Sequence, residues 1–309
     1  MPSLAYISHP DVGRHDTGWA HPEHVGRIRA IPRALRYDAE LFHLLDHREA
    51  RHASHDELAL AHEPAYVSMV EELAAQGGAR LDADTVVSEG SWDAATAGTG
   101  AVLDGLDLAF GDGPRRSFCA VRPPGHHALR DGGMGFCLFG NVGVGAHYAR
   151  ARHGAERVLI VDWDVHHGNG TQALVQQAKD IRFVSMHQWP WYPGTGAASD
   201  RGPHDNVWNV PMEAGLAREV YVAAFLSAVD AATTGFTPDV VLLSAGFDSL
   251  AGDPLGGFTL EMDDVERLTR EMVSRAEQWC GGRLVSALEG GYAPDRLGEA
   301  CVRHMQALV

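Results

Sequence analysis

At 309 residues, with 45% hydrophobic residues, the chain is long enough to bury a large core. Its net charge of −16 argues against a nucleic-acid partner, because phosphate binding needs a Lys/Arg surface, and is compatible with cationic substrates. No apolar run approaches the roughly 20 residues that span a bilayer, and the first residues lack a basic segment followed by an apolar one. A soluble, cytoplasmic protein with no membrane partner is the expectation, and without a linker or internal repeat residues 1–309 read as one domain.

The predicted elements alternate along the chain. A helix over Ser91–Phe110 precedes the apolar run "SFCAV" (117–121), and a helix over Asn141–His153 precedes "RVLIV" (157–161). "IRFVSM" (181–186) follows, then a helix over Leu216–Thr234, "VVLLSA" (240–245), a helix over Glu261–Cys280, "RLVSAL" (283–288) and a helix over Pro294–Leu308. Short continuous apolar runs between helical patterns predict an α/β fold whose parallel sheet is buried on both faces. Cys119, Cys137, Cys280 and Cys301 form no CxxC pair, so reduced thiols are expected rather than a disulfide framework or a thiolate zinc cage.

Four of these strands run directly into polar clusters. They are Arg122-Pro-Pro-Gly-His-His127, Asp162 to Asn169, Gly246-Phe-Asp248 and Glu289-Gly-Gly-Tyr292. Ligands of open parallel sheets bind beyond the carboxyl ends of the strands, so the four ends should converge on one crevice. If the backbone stays extended past Val161, Asp162, Asp164 and His166 project to one side and share a cation. Two carboxylates and an imidazole suit Zn²⁺ or Fe²⁺ in an open, catalytic site. A single Asp at a strand end is ordinarily a cap for the next helix, but five polar side chains in one turn are not explained that way. Asp248 would complete an Asp-His-Asp ligand set. The adjacent imidazoles of His126 and His127, held by Pro-Pro and Gly, suit a general acid/base pair, and Tyr292, on a flexible Gly-Gly hinge, suits donation to a developing oxyanion.

These residues resemble the histone deacetylase family of zinc-dependent amide hydrolases. The likeness runs through "HPEHVGR" (21–27), "AHEPAYV" (61–67), "RPPGHHA" (122–128), "GFCLFGN" (135–141), "DWDVHHGNGTQ" (162–172), "YPGTG" (192–196), "GFDSLAGDPLG" (246–256) and "EGGY" (289–292), in the family's order. It implies the three-layer arginase/deacetylase-type fold, with a central parallel sheet flanked by helices. By matching positions, Asp164, His166 and Asp248 would ligate zinc, and water activated by the metal would attack the scissile carbonyl. His127 would be the principal general base and acid, His126 chiefly electrostatic, and Tyr292 would stabilise the oxyanion. Asp162 would stand behind His126 and, with Ser185 and Met186, hold a structural potassium ion. Asn169 would support His127; as Asn rather than Asp it resembles the class II branch, a bacterial histone deacetylase-like amidohydrolase. Gly135, Phe136 and Tyr192 match the walls of a narrow acyl-lysine channel. Leu255 matches a rim position where polyamine-preferring relatives carry an acid. Gly140 stands where Asn is frequent, and His167 is expected to be structural. Acetylated lysine side chains, acetylpolyamines or small amides are the substrates implied.

Three rivals fit less well. Arginase-like ureohydrolases hold two manganese ions through Asp-x-His-x-Asp, but Gly168 stands where the second carboxylate is needed. Aspartate-nucleophile phosphatases share an apolar strand with Asp-x-Asp, but His166 breaks their pattern, and the sole lysine, Lys179, lies too soon after it. A non-catalytic acyl-lysine binder would be expected to have lost a zinc ligand or the tyrosine.

Overall fold

The computed structural model describes residues 3–309. Its strands are β1 (Leu4–Ser8), β2 (Leu45–Glu49), β3 (Gly78–Arg80), β4 (Val86–Ser88), β5 (Arg116–Cys119), β6 (Val158–Asp162), β7 (Ile181–Gln188), β8 (Val207–Met212), β9 (Val240–Ala245) and β10 (Leu284–Leu288). Eight form one sheet in the order β2-β1-β5-β10-β9-β6-β7-β8, and every neighbouring pair is parallel. β3 and β4 form a small antiparallel ribbon.

Every residue of β6, β9 and β10 is buried, as a sheet covered on both faces requires, and this is why those segments read as unbroken apolar runs instead of alternating ones. Of the five predicted helices, those at Ser91–Phe110, Asn141–His153 and Pro294–Leu308 fall as expected and the other two begin at Arg218 and Met262, within two residues of expectation; Gly26–Leu35, Ala39–Leu44, His55–Leu58, Pro64–Ala75 and Asn169–Val175 are helices as well. β1, β2 and β8 were not predicted. β2, "LDHRE", is a polar edge strand buried only at Leu45, so it carries no apolar signal. Among the described residues no helix is long and apolar enough to cross a membrane.

From β6 the chain moves outward through β7 to β8, whereas from β9 it moves the other way to β10. The adjacent pair β6 and β9 is therefore a switch point, where the connections part and leave a crevice beyond the carboxyl ends. Asp162 and Ser244 are partners across it.

The helix Ser91–Phe110 lies against the segment following β2. Ala53 N–H donates to the Thr96 carbonyl (2.9 Å) and Arg51 N–H to Asp104 Oδ2 (2.9 Å). A Cβ at Gly100 would collide with the Arg51 carbonyl oxygen. Gly100→Ala should therefore destabilise by about 1–3 kcal/mol, although alanine is the better helix former. Urea unfolding of the two proteins measures the difference.

Candidate active site

The turn after β6 is shaped by its own aspartates. Asp164 N–H donates to Asp162 Oδ1 (3.0 Å) and His166 N–H to Asp164 Oδ1 (2.9 Å), two successive Asx turns. These turns end the strand at Asp162, so the extended course that would align Asp162, Asp164 and His166 is not taken. Asp162 turns instead to His126, accepting from Nδ1 at 3.0 Å.

Asp164 and His166 meet Asp248, which arrives from the end of β9. All three are buried, and their ligand atoms lie within 4.8 Å of one another. His166 Nδ1 faces both carboxylates, at 3.0 Å from Asp164 Oδ1 and 3.2 Å from Asp248 Oδ2, and makes its hydrogen bond to Asp164. Asp248 Oδ1 accepts from Val165 N–H (2.9 Å), while the buried Oδ2 has no hydrogen-bond partner. Burial, then the nearby Asp164, raises the Asp248 carboxyl to about 7. Burial opposes charge on His166, but its hydrogen bond to Asp164 and the adjacent Asp248 carboxylate outweigh that and hold it at about 10. Two carboxylates and one imidazole, with one buried carboxylate oxygen left without a partner, fit a divalent cation of the zinc type.

Around this set stand the remaining strand ends. His126 and His127 pack ring against ring at 4.0 Å between centroids. Burial disfavours charge on His126, yet Asp164 and Asp162 overcome it and hold its pKa well above the ordinary histidine value. Burial, then His126 and His166, push His127 well below that value, and its Nδ1 bonds Asn169 Oδ1 at 2.7 Å. The Tyr292 phenol is kept protonated: burial lifts its pKa far up and Asp248 and Asp164 add to it, with Arg27 opposing.

The Gly-Gly segment before Tyr292 is no loose hinge. Gly290 N–H donates to Asp164 Oδ2 (2.8 Å), the Gly290 carbonyl accepts from Phe247 (3.0 Å), Arg27 Nε donates to the Gly291 carbonyl (2.6 Å) and Tyr292 N–H donates to Asp253 Oδ2 (2.6 Å). Glycine is required for proximity: a Cβ at Gly290 would strike the carboxylates of both Asp248 and Asp164.

A cavity of about 210 Å³ descends to this set, lined by His127, Gly135, Phe136, His166, Tyr192, Leu255 and Tyr292. Tyr192 stands edge-on to His127 (5.1 Å, 89°) and Phe136 edge-on to Tyr292 (5.7 Å, 77°). Phe136 has φ 71°, a left-handed conformation that a non-glycine residue holds only when its surroundings enforce it. Asp84 and Trp191 also line the cavity, and the Trp191 indole donates to the Leu255 carbonyl (2.8 Å). Neither was singled out from the sequence, because nothing in a β-ribbon turn or a Trp-rich loop points to the mouth of a channel.

Two further groups went unassigned although their motifs were noticed. Glu289 Oε2 accepts from the amides of Gly125 (2.7 Å) and His126 (3.1 Å), so it positions the tandem histidines as much as Pro-Pro does. The Arg27 guanidinium lies over the Tyr292 ring at 4.8 Å and pairs with Glu23 (2.9 Å). Glu289 heads a motif at a strand end and Arg27 closes "HPEHVGR" at the start of the helix Gly26–Leu35, so both lay within motifs already visible in the sequence. His167 bonds Thr195 Oγ1 (2.8 Å) and Gln172 Oε1 (3.0 Å), and Ser185 Oγ bonds His187 Nδ1 (3.1 Å). Met186 is buried in β7 beside it.

A parallel eight-stranded sheet with an Asp-His-Asp cluster at its switch point defines the arginase/deacetylase class of α/β proteins. The histone deacetylase domain matches residues 21–308. The solved structure of the HDA15 HD domain superimposes with a TM-score of 0.92 at 34% identity, covering 100% of this chain and 88% of that one. The chain is 36% identical to a histone deacetylase-like amidohydrolase of Pseudomonas aeruginosa, over 89% of this chain and 75% of that protein. It is 34% identical to the human polyamine deacetylase HDAC10, over 99% of this chain and 48% of that longer protein. The chain belongs to the histone deacetylase family.

Gly290→Ala should force the two carboxylates apart and lower divalent-metal binding by the one equivalent held by Asp164, His166 and Asp248, while the fold persists. Metal content after desalting, beside an unchanged circular dichroism spectrum, checks this.

Proposed function

We propose that the chain, acting as a single catalytic domain in the cytoplasm, is a zinc-dependent deacetylase that hydrolyses the amide of acetyl-lysine or a related acylated amine. The observation that carries this reading is the convergence of Asp164, His166 and Asp248 beside one cavity that His166, His127 and Tyr292 line. Asp164, His166 and Asp248 would hold the metal; zinc, or Fe²⁺ on the same donors, supplies Lewis acidity toward the carbonyl and the attacking water.

The rest is done by the chain's own groups. Phe136 and Tyr192 flank the methylene stem of the acylated amine and bring the amide to the cavity floor. His127, neutral in its buried setting, takes the proton from water at its free ring nitrogen, while Asn169 fixes the other nitrogen (2.7 Å). His126, charged beside Asp162 and Asp164, favours the anionic transition state electrostatically. The protonated Tyr292 phenol donates to the developing oxyanion, and His127 then returns its proton to the leaving amine. Asp162, Ser185 and Met186 are assigned to a structural potassium ion; Asp162 and Ser185 are partners across β6 and β7, which supports that reading.

Acetylpolyamines are the second reading, favoured by Asp84, an anion in the cavity wall that suits a cationic tail. Against strong polyamine selectivity stands Leu255, a leucine at the rim. A panel of acetyl-lysine peptides, acetylpolyamines and small amides tests both. Turnover of none by zinc-loaded protein would overturn the assignment.

Tyr292→Phe should lower kcat by about 10²–10³-fold with metal content unchanged, as loss of one oxyanion donor does. Asn169→Asp should raise the pKa of His127, because a carboxylate stabilises imidazolium more than an amide does. A base must be neutral to act, so the acidic limb of the kcat/KM profile should move to higher pH. An unmoved limb would show that Asn169 does not tune His127.

A further inference from the structure

We infer that His9, Asp11 and His52 form a second metal site, for a divalent transition-metal ion of the zinc type, at the outer edge of the sheet. It is independent of the active site and does not rest on the deacetylase reading. One ligand atom from each of the three residues lies within 4.8 Å of the others. His9 follows β1, and His52 lies in the segment that leaves β2, its parallel neighbour, so the two imidazoles hang from adjacent strand ends.

The hydrogen bonds fix where the lone pairs point. Thr96 donates its hydroxyl proton to the Trp92 carbonyl (2.8 Å), so its oxygen accepts from His52 Nδ1 (2.9 Å). That places the His52 proton on Nδ1 and turns the bare Nε2 toward Asp11 Oδ2, 3.3 Å away. His9 Nδ1 is likewise unprotonated, since it accepts from Asp11 N–H (3.1 Å), and lies 3.4 Å from the same Asp11 Oδ2; an ion would take its one lone pair in exchange for that hydrogen bond. Its far nitrogen, Nε2, carries the proton and faces Glu49 Oε1 at 3.5 Å. Each imidazole thus has a polar group behind it and an unprotonated nitrogen in front, the arrangement that orients metal-binding histidines. Arg14 approaches the other carboxylate oxygen, Oδ1 (3.5 Å), and is bound chiefly to Asp93 (2.5 Å), leaving Oδ2 to the histidines.

The bare His52 Nε2 and the Asp11 carboxylate oxygen repel at 3.3 Å unless a positive centre lies between them. The 3.3 and 3.4 Å separations match the edge of a tetrahedron built on zinc bonds of about 2.0–2.1 Å, which is about 3.3 Å. Two imidazoles and one carboxylate are the donors zinc takes, with a fourth position left for water. The ion would tie the exposed edge strand β2 to β1 and, through Thr96, to the helix Ser91–Phe110.

Equilibrium dialysis of the chelator-stripped full chain against Zn²⁺ tests this. His9→Ala/His52→Ala should bind one equivalent fewer than the wild type and keep its turnover of acetyl-lysine peptide. Asp248→Ala reads the active site separately and should retain the equivalent that the double variant loses. Equal zinc counts in wild type and double variant would overturn the second site, whatever the active site binds. If the double variant does not fold by circular dichroism, His52→Gln takes its place, with the same loss expected and an equal count again overturning it.

Discussion

The structure depends on burying negative charge at the carboxyl edge of the sheet. Asp162, Asp164, Asp248 and Glu289 are all wholly buried, and a carboxylate taken from water is tolerated only when it is paired and hydrogen-bonded. The polar side chains around them answer that need. His126 faces Asp162, His166 faces Asp164 and Asp248, and Glu289 takes two backbone amides. Arg27 and Arg122, both fully buried, meet on Glu23 one layer further out. Among the described residues Asp248 Oδ2 and Glu23 Oε2 are carboxylate oxygens left without a hydrogen-bond partner, and of the two only Asp248 Oδ2 faces the metal-ligating set.

Close approach of backbone to these groups follows from the same constraint. The amide of Gly290 reaches a carboxylate oxygen only because glycine has no side chain to intervene. Opposite charge is supplied by rigid elements, since the strands beneath are buried along their whole length. The walls of the cavity, by contrast, come from loops: Phe136 from the turn after the tandem histidines and Tyr192 from the segment after β7. The floor is thus set by rigid strands and the walls by loops.

Much of this was legible in the sequence, for reasons that can be named. Apolar runs such as "VVLLSA" mark central strands because both faces are covered, and their polar sequels mark the crevice because parallel strands deliver their ends together. What escaped was of another kind. β2 is a polar edge strand without periodic signal, and the two Asx turns that separate Asp162 from the Asp164 pair act through backbone amides that no spacing rule reports. Asp84 and Trp191 reach the cavity only through the course of their loops. The tight bonding of Gly290 and Gly291 reverses the flexibility that a Gly-Gly pair suggests, since glycine is there for space and not for motion.

Those Asx turns also bear on the order in which the site is assembled. Asp164 and His166 are brought together by closures of two residues, which cost little chain entropy and do not require the sheet. Asp248, whose Oδ1 bonds Val165 across 83 residues of chain, joins them only when β9 has docked beside β6. A nascent chain therefore carries two of the three groups once the turn after β6 is made, and completes the set on tertiary closure. Metal supply during synthesis would then favour the pairing of β6 with β9, coupling cofactor loading to the folding route itself.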